Sequence, residues 1–533
     1  MLRFLLLSIL PFCVLSHAPQ LRGQDDDVTT GPGSSSSGKT SSRYLRGVAP
    51  EESAPALLRI LGGHVTTAGI SLQAIVLDSS GLEVSHLGLP GKWTLEWGCA
   101  DRNRYEAMEP IVQGPLPPRS AVNHYQIMID NSLTSQGLLT AIAPSVREVL
   151  SGYSESDSFS ISTFSQTTTE VCGWELAVDA SRSLAETKLS APKGIPAVYT
   201  AMMSGLRVFD KKSTTNNILI FVTASDDLAS LDVSVNDVVR YAKQRGVTMY
   251  VIKIGTSVRG YPYRYISEAT GGRLYSIHST SADGIDSVIK EILLSRNNHA
   301  EVFATKFHPS TGCPTLQVHL LYTHNNRVIA DTFSIPVSTV PFRRYNGAIV
   351  AAFDDTTDSN IQEYYSGLTL LATNLMADTL RRIRIIGHVG SEITSNATRR
   401  GFERARHVAD FLKALGVRDE QIEIQSRGSS KPMFLEQVDG TQKMLNNRVE
   451  ALYITPADDP YSIVVDYVVS EQIAGTKVTD WEKRGYKAYF EAALNDGRPE
   501  YEIILWGYKT REAAQKAASE LRSKYGVKEY LLR

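Results

Sequence analysis

At the end of an apolar run, Asp130-Asn131-Ser132-Leu133-Thr134 sets one carboxylate and two hydroxyls at alternate positions. That is an all-oxygen donor set of the kind that suits a hard cation such as Mg²⁺ or Ca²⁺. A second stretch, Gly33-Ser34-Ser35-Ser36-Ser37-Gly38-Lys39-Thr40, matches the phosphate-cradling pattern G-x-x-x-x-G-K-[ST]. A working phosphate loop needs an apolar strand before it and a helix after it, so that backbone amides converge. Here an acidic, polar stretch precedes the match and Ser41-Ser42-Arg43 follows, so it is a coincidence within a serine tract. No G-x-S-x-G, no H-E-x-x-H and no Cys–His spacing suited to zinc or a thiol nucleophile occurs. The expectation is a protein that is not an enzyme.

The elements that must position Asp130 alternate between strand and helix. Candidate strands are 125–130, 159–164, 218–223, 248–254 and 274–277; candidate helices are 138–150, 197–209, 235–245 and 285–294. Such alternation with apolar strands predicts a parallel, doubly wound sheet. On either side the rhythm is different. Ile70-Ser71-Leu72-Gln73-Ala74-Ile75-Val76-Leu77 and Trp93-Thr94-Leu95-Glu96-Trp97 precede it, and Leu316-Gln317-Val318-His319-Leu320-Leu321-Tyr322 with a turn at Asn325-Asn326 follows. Short alternating runs bounded by turn residues predict antiparallel strands, and hence a small β-sandwich built from both flanks.

At 533 residues the chain is too long for one core, and its formal net charge of −2 points to neither nucleic acid nor an anionic membrane. Met1-Leu2-Arg3 and the apolar run 4–15 predict a signal peptide, with cleavage after Ser16, Ala18 or Gly23. The run is too short to span a bilayer and no later segment is apolar enough, so no transmembrane segment is expected. Cys13 stands three residues after Leu10, but Phe12 is too bulky for lipoprotein processing. The mature chain keeps Cys99, Cys172 and Cys313, read as separate buried thiols, with a Cys99–Cys313 bridge as the alternative. Residues 24–49, rich in Ser, Gly, Thr and Asp, read as a disordered tether.

Three segments resemble known families. The α/β segment resembles a von Willebrand factor type A domain, whose D-x-S-x-[ST] metal-ion-dependent adhesion motif Asp130, Ser132 and Thr134 fit. The resemblance implies that a threonine and an aspartate from two later loops complete the metal shell. Pro196 and Ala224 stand at those places, with Asp226 or Asp227 as the carboxylates that a shifted loop would bring in. The metal site (Asp130, Ser132, Thr134) is therefore expected to be degenerate, a protein-binding scaffold without metal, with an altered Mg or Ca site as the alternative. Ile349-Val350-Ala351-Ala352-Phe353, Ile385-Ile386-Gly387-His388, Arg404-Ala405-Arg406-His407-Val408 and Asn447-Arg448-Val449-Glu450 resemble an OmpA-like domain. That implies binding of the diaminopimelate peptide of peptidoglycan through His388, Arg404 and Arg448. Val389 stands where the family's ligand-binding aspartate belongs. Arg404 also lies among Arg399, Arg400 and Arg406, which reads equally as a solvated basic face.

The last segment, from Tyr461-Ser462-Ile463-Val464-Val465 through Tyr501-Glu502-Ile503-Ile504-Leu505-Trp506-Gly507-Tyr508 to Thr510-Arg511-Glu512-Ala513-Ala514, resembles a SPOR domain, which binds denuded glycan. Tyr486, Tyr489, Trp506 and Tyr508 would supply flat faces for sugar rings, with Arg511 at the edge, and strand alternation lets only some of them face a ligand. The expected fold class is multidomain α/β and α+β: β-sandwich-like flanks around a doubly wound type A domain, an OmpA-like α+β domain and a ferredoxin-like SPOR domain. The expected boundaries are signal peptide 1–23, tether 24–49, β-rich flank 50–121, type A-like domain 122–298, β-rich flank 299–343, OmpA-like domain 344–454, linker 455–460 and SPOR domain 461–533. Together these imply a periplasmic protein associated with the wall or the outer membrane, active in division or envelope anchoring, with peptidoglycan and an unknown protein as partners. The alternatives are a metal-dependent adhesin or sensor, or a periplasmic assembly scaffold with degenerate wall sites.

Overall fold

The computed structural model describes residues 54–532, apart from internal stretches of which the longest are 85–92, 114–121, 305–314 and 338–346. The expected leader, the tether with its phosphate-loop match, Cys13, Cys313 and the 455–460 linker lie outside the described residues. What is described is mixed α/β, built on several sheets.

Two four-stranded antiparallel sheets stack on one core. The first runs Pro55–Thr66, Gly69–Asp78, Ala300–Ala304, Ile111–Gln113, and the second Arg327–Pro336, Thr315–His324, Trp93–Cys99, Tyr105–Met108. Leu58, Ile60, Leu72 and Val302 of one sheet pack with Leu95, Val318, Leu320 and Phe333 of the other. Asn325 and Asn326 both adopt positive φ (47° and 62°), the left-handed pair that a two-residue hairpin with the strands' own twist requires. Cys99 is disulfide-bonded, which corrects the expectation of separate thiols; Cys172 is free, and burial pushes its thiol up to about 11.

Between these flanks lies a six-stranded sheet in the order Leu274–Ile277, Val247–Ile254, Asn216–Thr223, Asn123–Asp130, Ser158–Phe164, Thr168–Leu176. All neighbours are parallel except the last pair. Alternation along Asn123–Asp130 sends Tyr125, Ile127 and Ile129 into one helical layer and Met128 into the other. Helix Val235–Arg245 starts at Ser234, whose hydroxyl and Asp237 cap each other, and stops at Gly246 with φ 63°. The chain reverses its winding between Asn123–Asp130 and Asn216–Thr223, and such a sheet opens a crevice at the C-terminal ends of those two strands.

A buried ion pair fastens this sheet to the sandwich. Arg273 Nη1 donates to Asp331 Oδ2 (2.6 Å) and to the Ile60 carbonyl (2.8 Å), and the Ile60 amide donates to the same carboxylate oxygen at 2.8 Å. Gly62 is pressed so close to Gly271 that a Cβ there would lie 1.8 Å from its carbonyl oxygen.

Two further four-stranded sheets follow. One is ordered Ala348–Ala352, Arg448–Ile454, Arg382–His388, Ile422–Gly428, with helices Tyr365–Ala377 and Ala397–Ala414 packed on it. The other is ordered Lys487–Asn495, Arg498–Tyr508, Tyr461–Val468, Leu531–Leu532. With helices Glu471–Lys483 and Arg511–Tyr525 it forms a β-α-β-β-α-β unit, whose second helix is capped by the Thr510 hydroxyl. Among the described residues no helix is long and apolar enough to cross a membrane.

Candidate functional site

Asp130 ends its strand at the crevice and is completely buried. Its Oδ1 accepts from the Ser132 amide (2.9 Å) and hydroxyl (2.6 Å). Its Oδ2 accepts from the Thr223 hydroxyl (2.8 Å) and the Ala224 amide (3.2 Å). A carboxylate has about four lone-pair positions, and here protein donors hold all four. Ser132, Thr134 and Ser225 then close a ring of hydroxyls: Ser132 Oγ lies 3.0 Å from both Thr134 Oγ1 and Ser225 Oγ, which also bond each other. Ser225 is a member of this cluster that the sequence reading missed. The Asp227 carboxylate accepts from the Tyr199 amide at 3.3 Å.

This donor set does not fit a tight divalent site. Ca²⁺ takes six to eight oxygens and Mg²⁺ is commonly held by one or two carboxylates, and here the single carboxylate of the cluster has its lone pairs already engaged by protein donors. Pro196 uses its carbonyl instead to receive the amides of Leu228 and Ala229, each at 3.0 Å.

The same two loops have another occupant. Ile195 is fully buried within the core of the Ala348–Ile454 domain, and Leu228, Ala229 and Leu231 pack against that core. The Ile349 amide donates to the Leu228 carbonyl at 2.8 Å. Asp232 accepts from Tyr453 OH (2.7 Å), Asn374 Nδ2 (2.8 Å) and Arg381 Nη1 (3.2 Å). The loops at the C-terminal edge of the sheet beside Asp130 therefore carry the chain's own next domain.

In that next domain, Gly387 and Gly401 let helix Ala397–Ala414 touch strand Arg382–His388, since a Cβ on Gly387 would lie 1.8 Å from the Gly401 carbonyl oxygen. This close approach carries Arg404 beneath the end of the strand. Arg404 is buried, which corrects the reading of it as part of a solvated face; Arg399 and Arg406 are the exposed ones. Its Nη1 donates to the His388 carbonyl (3.0 Å) and to Asn447 Oδ1 (2.8 Å), and its guanidinium lies over the Phe353 ring. Asn447 Oδ1 also receives the Gly390 amide at 2.7 Å. Val389 is buried and brings no charge.

Arg448 is likewise buried and bonds Glu450 Oε1 at 2.7 Å, while its Nη1 has no hydrogen-bond acceptor. Burial pushes the Glu450 carboxyl up, but the Arg448 charge and its hydrogen bonds outweigh this and hold it well below the usual carboxylate range. Burial, reinforced by Arg448, lowers the pKa of His388. His388 lies 3.6 Å from Glu450, and Arg448 is the larger of the two influences that keep Glu450 charged.

In the last domain the predicted aromatics divide between two faces. Tyr486 and Tyr508 pack on the helix side, Tyr486 edge-on to Trp481 and Tyr525. Strand register puts Tyr489 and Trp506 on the opposite face with Val464, Glu491, Glu502 and Ile504, and Lys487 lies over the Trp506 ring. Arg511 is exposed at the start of its helix.

No family model matches the chain, and no curated protein matches it. Among solved structures it is similar to the peptidoglycan-associated lipoprotein from Burkholderia pseudomallei, at 31% identity over 20% of this chain and 88% of that one, with a TM-score of 0.19. It is similar to the protein BatB from Bacteroides thetaiotaomicron, at 12% identity over 33% of this chain and 99% of that one, with a TM-score of 0.28. It is also similar to proximal thread matrix protein 1 from the mussel byssus, whose metal-ion-dependent adhesion motif holds zinc, at 11% identity and a TM-score of 0.30. That match covers 37% of this chain, and the chain spans about half of the mussel protein's length (50%).

Proposed function

We propose that the chain is a non-enzymatic, peptidoglycan-associated envelope protein. Its Ala348–Ile454 domain takes the diaminopimelate-bearing peptide of the wall, and its Tyr461–Leu532 domain takes glycan stripped of peptide. The observation that carries this reading is the meeting of His388, Arg404, Asn447 and Arg448, from three separate segments, at one end of a sheet. Two buried guanidiniums stand there, and Arg448 Nη1 has a hydrogen bond still to give. A guanidinium fork pairs with a carboxylate through two parallel bonds. Diaminopimelate carries a side-chain carboxylate that lysine lacks. With Val389 in place of an anion, the guanidinium side carries the affinity.

The disulfide at Cys99 accords with an oxidising compartment, and so with export to the periplasm. The type A-like domain acts here as a support for the wall-binding domain, and a protein partner docks on another of its surfaces. Division or envelope anchoring is the setting that such a pairing of modules serves.

Calorimetric titration of the whole chain with a diaminopimelate tripeptide tests the reading, with the same peptide carrying lysine as the control. The expected result is binding of the first, weakened at least tenfold in the second and in Arg404→Lys. Equal affinity for the two peptides, or none for either, would remove the proposal.

A further inference from the structure

The sheet face that carries Tyr489 and Trp506 is covered from within the chain. The loop after strand Ile422–Gly428 presents Lys431, whose Nζ bonds Glu502 Oε2 at 2.6 Å and Glu491 Oε2 at 2.9 Å. Both carboxylates share that face with Val464 and Ile504, and Glu502, Val464 and Ile504 are all buried although they point away from the domain's own helices. The loop itself is held firmly. Asn446, fully buried, accepts from the amides of Met433 (2.7 Å) and Phe434 (2.9 Å) and donates to the Phe434 carbonyl (2.7 Å). Arg448 Nη2 reaches the Lys431 carbonyl at 3.4 Å. A lysine on a braced loop of one domain is thus seated between two carboxylates on the next.

We propose that the Lys431 loop is an intramolecular cover over the glycan-binding face of the C-terminal domain, so that glycan and the Lys431–Glu491–Glu502 contact compete. This rests on the reading of that domain as a glycan binder. The chemistry of the exchange is balanced. A sugar ring laid on Trp506 and Tyr489 would re-cover Ile504 and Val464, and its hydroxyls would donate to the two carboxylates that Lys431 releases. Because Arg448 touches the same loop, the state of the cover is adjacent to the peptide site of the neighbouring domain.

The test uses the whole chain as wild type, as Lys431→Glu, and as the charge swap Lys431→Glu with Glu491→Lys. Hydrogen exchange of segments 428–435 and 498–508 reports opening, and co-sedimentation with glycan strands freed of peptide reports binding. The expected result is faster exchange and at least tenfold tighter glycan binding in Lys431→Glu, both reversed by the swap. Unchanged exchange in Lys431→Glu would overturn the cover. Faster exchange with unchanged glycan binding would overturn its role as a gate while leaving the glycan reading intact. Faster exchange with no glycan binding by any variant would overturn the glycan reading and the gate with it.

Discussion

Replacing Asp331 with Ala strips the carboxylate from a guanidinium that has almost no water around it. Arg273 and Asp331 have side-chain exposures of 8% and 9%, and the burial that disfavours the guanidinium charge is offset chiefly by the Asp331 carboxylate, with Glu291 adding to it. Arginine does not shed its charge at any ordinary pH, so Asp331→Ala leaves a buried cation without the carboxylate it bonds. It also removes the acceptor of the Ile60 amide. Breaking one side of a buried pair costs about 3–5 kcal/mol. For a unit of this size each kcal/mol lowers Tm by about 2–4 °C, so the transition of the sandwich and the six-stranded-sheet region should fall by about 6–20 °C. Scanning calorimetry reads this directly. The companion variant, Arg273→Met with Asp331→Ala, removes both charges and should recover most of the loss, because an apolar replacement of a buried pair is often neutral. A loss under about 1 kcal/mol in Asp331→Ala, or a double variant as unstable as the sum of the two singles, would refute the account of this contact.

Acid should destabilise the Ala348–Ile454 domain in two steps. Unfolded His388 takes up a proton below about 6.5 while the folded, lowered one does not, so stability is lost as pH falls from that value. Glu450 stays charged in the fold well below its unfolded value of 4.5, so its contribution is present above that value and fades as pH drops further. Urea midpoints between pH 7.5 and 5 should slope downward, and His388→Phe should flatten that slope. Mg²⁺ or Ca²⁺ at 1 mM should leave Tm unchanged, whereas a site with Kd of 10 µM would add about 2.7 kcal/mol. Gly387→Ala should cost several kcal/mol, because its Cβ would meet the Gly401 carbonyl at 1.8 Å in a strand–helix contact with no room to yield; urea denaturation measures it.

The segments whose local signals agree were the most legible. Helix Val235–Arg245 was readable to the residue, because Ser234, Asp237 and Gly246 mark its ends. The Asn325-Asn326 turn was readable for the same reason. Strand Thr168–Leu176 was not expected, because it is an edge strand with half its side chains in water and therefore lacks an apolar run. Helix Gly260–Ala269 was hidden by its Gly260 and Pro262, which the first turn of a helix tolerates. In the candidate sites, the Asp130–Ser132–Thr134 spacing was visible, while Ser225 arrives from the loop after Asn216–Thr223, the strand that pairs with Asn123–Asp130. Gly401 and Ala405 flanking Arg404 were the available hint that this arginine sits against a backbone rather than in water. Lys431 had no sequence signal, since its partners lie 60 and 71 residues away in a different domain.

The measurement that tests the central claim most directly is co-sedimentation of the whole chain with purified sacculi, intact and after an amidase has removed their peptides. The account predicts retention on intact sacculi that falls in Arg404→Lys and is outcompeted by free diaminopimelate tripeptide. Failure of the wild-type chain to sediment with either preparation would contradict it.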